Sequence, residues 1–162
     1  MSDFEHRLKK AIDRGANRKE DRQTEARQKA MSEDDLKTLH TKYLLELSEH
    51  IEVSIRQLPD HFPGFRFETI FGEKGWGAAC SRDDLLASPK GKRNNAYSRI
   101  ELTVRPFSKL FVLELAGKAT IANKEAYNRT FFEELDKAEP QHFHELIDSW
   151  VVEYAELYAA RF

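Results

Sequence analysis

The sequence predicts an α+β fold with a long N-terminal helix, an antiparallel meander of four to five strands, and a C-terminal amphipathic helix packed on one sheet face. Three observations carry this prediction. Apolar residues recur at steps of three or four between positions 36 and 58, and again between positions 143 and 158. Between positions 64 and 115 the apolar residues instead alternate with polar ones, and short turn-forming segments separate the alternating runs.

The composition changes along the chain and predicts two parts, a polar arm (residues 1–31) and a single α+β domain (residues 32–162). Charged residues are concentrated in the first part, whereas large apolar residues recur from Leu36 to the last position. A domain of this length can close a core by itself.

The arm contains many helix formers but only a short apolar stripe. Phe4, Leu8 and Ile12 are spaced by four, and the pattern fades after Gly15. A helix that buries no apolar face is marginal in water, so we expect the arm to be partly helical or disordered. The alternative is that this stripe forms a face that folds on a partner.

A firmer helix is predicted to begin at Ser32. Ser32 and Asp35 have the spacing of a capping box. The apolar positions that follow define one continuous helical face: Leu36, Leu39, Tyr43, Leu47, Ile51, Ile55 and Leu58. Pro59 is expected to stop the helix. Such a helix would be roughly 39 Å long at 1.5 Å per residue, so we expect it to cross the sheet or to meet another subunit.

The alternating region predicts hairpin-connected strands, since short turns join antiparallel neighbours. The predicted strands cover residues 65–71, 76–82, 99–105 and 110–115, with a short fifth strand at 118–122 after a bend at Gly117. Residues 83–97 are predicted to form a long connection. The last helix begins after Pro140, and its apolar face should cover the sheet and dominate the stability of the domain.

Few residues suggest chemistry, and we predict no catalytic residue, cofactor or metal site. Cys80 has no nearby histidine and is expected to be a small buried hydrophobe. His142 and His144 are two apart, so on a helix they point in different directions and do not share an ion. His144 is expected to pair with Asp148 instead.

One basic segment is a candidate binding site. Lys90, Lys92 and Arg93 flank a glycine within the predicted connection, and Arg99 and Arg105 point outward from the third predicted strand. These five residues are our candidates for contact with an anion or a nucleic acid. We favour a solvated loop, because only Tyr97 is available to stack on a base.

The leading functional hypothesis is a non-catalytic protein-interaction module, an adaptor or small chaperone-like regulator that works as a homodimer with an unknown protein partner. A nucleic-acid or ribosome-associated protein is the alternative. A second alternative is a small-ligand-binding or enzyme fold with a pocket between the sheet and the C-terminal helix, lined by Trp76, Tyr97, Tyr127 and Trp150. The net charge of −2 does not indicate general attraction to nucleic acid or anionic membranes. The first residues lack the apolar core of a signal peptide, so we expect a cytoplasmic protein without membrane contact.

Overall fold

The computed structural model describes residues 3–87 and 93–162; the side chains of residues 26–31, 86–87 and 93–94 lie outside the description. The elements in chain order are α1 (Asp3–Arg56), α2 (Leu58–His61), β1 (Arg66–Ile70), β2 (Trp76–Ala87), β3 (Arg93–Val104), β4 (Val112–Ile121), β5 (Lys124–Glu134), a 3₁₀ turn (Leu135–Lys137) and α3 (Pro140–Arg161). The predicted α+β class is therefore confirmed.

The described chain separates into two compact units, Met1–Thr38 and Leu39–Phe162. The first unit is helical from Asp3 onward, and every side chain from residue 3 to 25 is exposed. The predicted helix start at Ser32 is wrong, because α1 already runs through that position. The preceding Glu-, Arg-, Lys-, Gln- and Ala-rich residues are strong helix formers, so the capping pair at Ser32 is not needed to start the helix.

The second unit contains a five-stranded antiparallel sheet in the order β1-β2-β3-β4-β5, the predicted meander. Its helix-covered face is apolar. Residues of β3 and β4 on that face are fully buried: Ile100, Leu102, Val104, Leu113 and Leu115. They pack beneath Leu47, Ile51 and Ile55 of α1 and beneath the buried residues of α3, which are Phe143, Ile147, Trp150, Val151, Tyr154 and Tyr158. Among the described elements of the second unit, no helix packs on the opposite face of the sheet.

The predicted connection at residues 83–97 is wrong at both ends. β2 continues to Ala87 and β3 begins at Arg93, so both strands have 12 residues and pair along their whole length. The polar sequence misled the prediction because small and polar residues hide the alternation there: Ala96 and Ser98 are buried, whereas Asn95 and Tyr97 are exposed. Within this extension, Asn95 Nδ2 donates a hydrogen bond to Asp83 Oδ1 at 3.2 Å.

The predicted bend at Gly117 is also wrong, since Gly117 lies within β4. A side chain there would meet the Trp150 ring, because a Cβ atom on Gly117 would lie 2.7 Å from Trp150 Cε3. The glycine therefore serves close packing of α3 on the sheet, not a turn. The predicted fifth strand at 118–122 belongs to β4, and β5 follows a tight turn at Ala122 and Asn123, which both have positive φ.

Candidate functional site

The five predicted anion contacts do not form one described cluster. Lys90 and Lys92 lie outside the described residues, and Arg93 is described only as the first backbone residue of β3. Arg99 and Arg105 both lie on the open sheet face, six residues apart. At about 3.4 Å per residue that separation is roughly 20 Å, so the two arginines cannot hold the same phosphate.

Arg99 is engaged by carboxylates within the chain. Its Nη1 donates a hydrogen bond to Glu68 Oε1 at 2.5 Å, and its Nε lies 3.9 Å from Glu101 Oε2. An incoming phosphate would have to compete with both acidic groups. Arg99 therefore attracts an anion less strongly than we predicted from its outward position on the third predicted strand.

Arg105 belongs to a different arrangement, which we call the open-face groove. This cavity of about 330 Å³ contains three basic side chains, those of Lys74, Arg105 and Lys118, around Glu101. Thr103, Asn128 and Thr130 add neutral polar groups. Within the described part of the chain, the three basic groups form no ion pair. The groove is thus modestly cationic.

A second surface, the edge groove, lies between α1 and the β1 edge of the sheet. It encloses about 440 Å³ and is lined by Leu45, Ser48, Glu49, Glu52, Thr69, Ile70, Phe71, Trp76 and Gly77. Three of its apolar residues are unusually exposed: Phe71 at 74%, Leu45 at 53% and Trp76 at 39%. Large apolar groups exposed together mark interaction surfaces more often than scattered ones do.

A third apolar surface is the arm stripe, formed by Phe4, Leu8 and Ile12 in the first unit. These residues are 64%, 49% and 63% exposed. Because they lie four residues apart on α1, they share one face of the helix. Basic residues accompany this stripe, namely Arg7, Lys10 and Arg14.

The four aromatic residues predicted to line one pocket lie in separate places. Tyr127 and Trp150 are buried against each other, with ring centroids 6.4 Å apart, and the Tyr127 hydroxyl donates to the Trp150 carbonyl at 2.9 Å. Trp76 lines the edge groove, whereas Tyr97 lies on the open face. On the side of α3 that faces the sheet, Phe143, Ile147 and Tyr154 are fully buried.

Several histidine side chains on the helices interact with side chains of neighbouring elements. His142 pairs with Glu133 of β5 at 2.8 Å, whereas the ring of His144 lies against that of His50 at 4.3 Å. The expected pairing of His144 with Asp148 is wrong: the Asp148 carboxylate interacts instead with His50 at 2.8 Å and with Ser54 at 3.1 Å. In the described residues, no three His, Cys, Asp or Glu side chains converge as metal ligands would.

Cys80 is fully buried, which confirms the prediction of a small core residue. Its Sγ donates to the Ile55 carbonyl at 3.5 Å. Burial raises the pKa of the Cys80 thiol to about 12, so the nucleophilic thiolate does not form near neutral pH.

His40 is a buried polar residue of α1, although its acidic surroundings in the sequence are typical of an exposed helix face. It is 2% exposed, and its Nε2 lies 3.2 Å from the Arg105 carbonyl oxygen. Because that oxygen only accepts, Nε2 carries the hydrogen. Desolvation by burial lowers the pKa of His40, although the bond to Arg105 partly opposes this effect.

We therefore expect the free energy of unfolding to fall as pH drops below about 6.5, because the unfolded chain then binds a proton at His40 that the folded chain does not. Urea titrations between pH 5 and pH 8 measure this dependence. His40→Gln should flatten it, and the background from all other groups is common to both proteins. Equal pH slopes for the two proteins would show that His40 is not buried in its neutral form.

Lys74 and Lys118 were not predictable as members of a basic site from local sequence, because Gly117 indicates a bend within β4 and Lys74 lies in a Gly-rich turn. The period-two pattern of Leu113, Leu115, Ala119 and Ile121 runs through the glycine and is the signal that could have placed Lys118 on the open face.

None of the described helices is long and apolar enough to cross a membrane. Searches against protein-family models, curated proteins and solved structures find no match for this chain.

Proposed function

We propose that this protein is a non-catalytic interaction module, an adaptor or small chaperone-like regulator, that works as a homodimer. The observation that carries the proposal is the arm stripe, three large apolar side chains exposed on one helical face of the first unit. The edge groove gives the second unit its own exposed apolar surface. Tyr127 and Trp150 support the same role, since both are buried and pack against each other in the core.

Pairing of two arms explains why a solvated helix carries such a stripe. A helix with no buried face gains little from packing, and full burial of one large apolar side chain contributes about 1.5–3 kcal/mol. Gly15 and Ala16 follow Ile12 on the same side and would let two backbones approach closely. The residues around the stripe carry both charge signs, including Asp13 and Arg14, so like-charge repulsion does not oppose pairing.

Deleting residues 1–31 is expected to leave the thermal stability of the remaining domain nearly unchanged. The described side chains from residue 3 to 25 bury no apolar area, and Ser32 with Asp35 can cap the shortened helix. Calorimetry of the full chain and of residues 32–162 measures the two melting temperatures. A melting temperature lower by more than about 8 °C would mean that the arm stabilises the domain and that the boundary at residue 31 is misplaced.

A second candidate function, nucleic-acid binding, is favoured by the open-face groove. Lys74, Arg105 and Lys118 form no ion pair within the described part of the chain, and all three line this groove. Glu68 and Glu101 oppose this function because they already engage Arg99. These acidic groups make it the weaker of the two proposals.

An RNA gel-shift titration at several salt concentrations tests this second candidate. Nucleic-acid binding predicts a shift that weakens with salt, and combined replacement of Lys74, Arg105 and Lys118 by alanine should reduce it. Lys109→Ala, which removes an exposed charge outside the groove, is the matched control. A shift that is absent at low salt, or equal in the groove variant and the control, excludes this groove as the binding site.

A further inference from the structure

The edge groove has an open strand as one wall. β1 is the first strand of the sheet order, and it pairs only with β2, from Arg66↔Ser81 to Ile70↔Gly77. Alternate backbone N–H and C=O groups of an edge strand point away from its neighbour. No other described strand pairs with these groups, so they are available to a strand from another molecule.

The other wall of the groove is one face of α1. Leu45, Ser48, Glu49 and Glu52 lie on one face of the helix, since the pairs 45/48 and 49/52 are three apart and the pairs 45/49 and 48/52 are four apart. Phe71 and Trp76 supply apolar surface beside them. The combination of a helix, an edge strand and exposed apolar side chains is the arrangement by which domains bind extended peptides through strand addition.

The charges of the groove specify the chemistry of its occupant. Glu49 and Glu52 have no basic partner among the described side chains. Near the other end of β1, Arg56 lies over the ring of Phe67, with Cζ 4.5 Å from the centroid. A basic side chain is therefore complementary to the Glu49 and Glu52 wall.

We infer that the edge groove binds an extended segment of a partner protein that adds a sixth strand beside β1, with apolar residues against Phe71 and Trp76 and a Lys or Arg against Glu49 and Glu52. The inference rests on the proposed role as an interaction module, but not on pairing of the arms. A second copy is a poorer occupant. Antiparallel pairing of two β1 strands about their centre would place Glu68 opposite Glu68, and like charges directly opposite are destabilising.

Selection of random displayed peptides of about twelve residues against the full chain tests the inference without knowledge of the natural partner. Enriched peptides should alternate apolar residues and contain Lys or Arg. The double variant Glu49→Lys/Glu52→Lys should weaken the best peptide at least about tenfold, because two attractive contacts become repulsive. Glu156→Lys, an exposed charge reversal on α3, is the matched control and should not change the affinity.

Hydrogen exchange distinguishes the conformation of the bound peptide. The inference predicts slower exchange of β1 amides when the selected peptide binds, and loss of binding when alternate peptide amides are N-methylated. A helical bound peptide, β1 amides that do not slow, binding unaffected by the groove variant, or a selection without enrichment each contradicts it. Protection of β1 that rises with protein concentration in the absence of peptide would instead assign the groove to a second copy.

These results separate this inference from the proposed homodimer. A chain that is monomeric but binds the selected peptides through Glu49 and Glu52 keeps the groove assignment and overturns the arm pairing. A dimer that shows no groove-dependent peptide binding keeps the arm pairing and overturns the groove assignment.

Discussion

Replacing Trp150 by alanine is expected to lower the free energy of unfolding by about 3–5 kcal/mol, as deletion of a large buried aromatic side chain does. Trp150 is 5% exposed and its ring lies against Gly117. Arg129 also lies over this ring, with Cζ 5.6 Å from the centroid. The loss is a large fraction of the roughly 5–15 kcal/mol that stabilises a typical domain.

Urea denaturation of the variant measures the loss, and Trp76→Ala provides a matched control. Trp76 is 39% exposed at the edge groove, so its removal should cost much less than removal of Trp150. If the two variants are equally stable, α3 does not pack on the sheet through Trp150.

Gly117→Ala is expected to cost about 1–3 kcal/mol, because the added methyl group overpacks a filled interface. Its Cβ would lie 2.7 Å from Trp150 Cε3 and 2.9 Å from Leu102 Cδ2, and both neighbours are buried. Neither side chain can move away without disturbing the core. The same substitution in an open strand would cost little, since alanine is not a poorer strand residue than glycine.

A double-mutant cycle identifies the source of the cost. Trp150→Phe removes the fused six-membered ring that contains Cε3, so Gly117→Ala should be better tolerated when it is combined with Trp150→Phe. Urea denaturation of the four proteins gives the coupling free energy. Additive effects would mean that the cost does not come from contact with Trp150, and would assign it to the contact with Leu102 instead.

The sequence was sufficient to predict the helices and strands in which apolar residues recur at a regular spacing. α3 and the buried side of β3 follow directly from spacing, because Ile100, Leu102 and Val104 all face the core. The predicted strand boundaries were wrong where tertiary contacts override the local sequence pattern. The outer halves of β2 and β3 are rich in polar residues, although Ala96 and Ser98 are buried there. Gly117 signals a turn locally, although Trp150 fills the space above it.

The candidate surfaces were less predictable than the fold, since they join residues far apart in sequence. The edge groove brings Glu49 of α1 near Phe71 and Trp76, and no local pattern reports that proximity. Likewise, the carboxylates that engage Arg99 come partly from β1, so its availability could not be judged from the charge of its own strand. The arm stripe is the exception, because Phe4, Leu8 and Ile12 are on adjacent turns of one helix.

The most direct test of the homodimer is the molar mass of the full chain in solution, measured by size-exclusion chromatography with multi-angle light scattering at micromolar concentration. We predict twice the chain mass of 18.9 kDa for the wild-type protein. Leu8→Asp, which places a charge in the centre of the arm stripe, should give the monomer, whereas Thr24→Asp on the same exposed helix should remain dimeric. A monomeric wild-type chain, or a Leu8→Asp variant that stays dimeric, would contradict pairing through the arms.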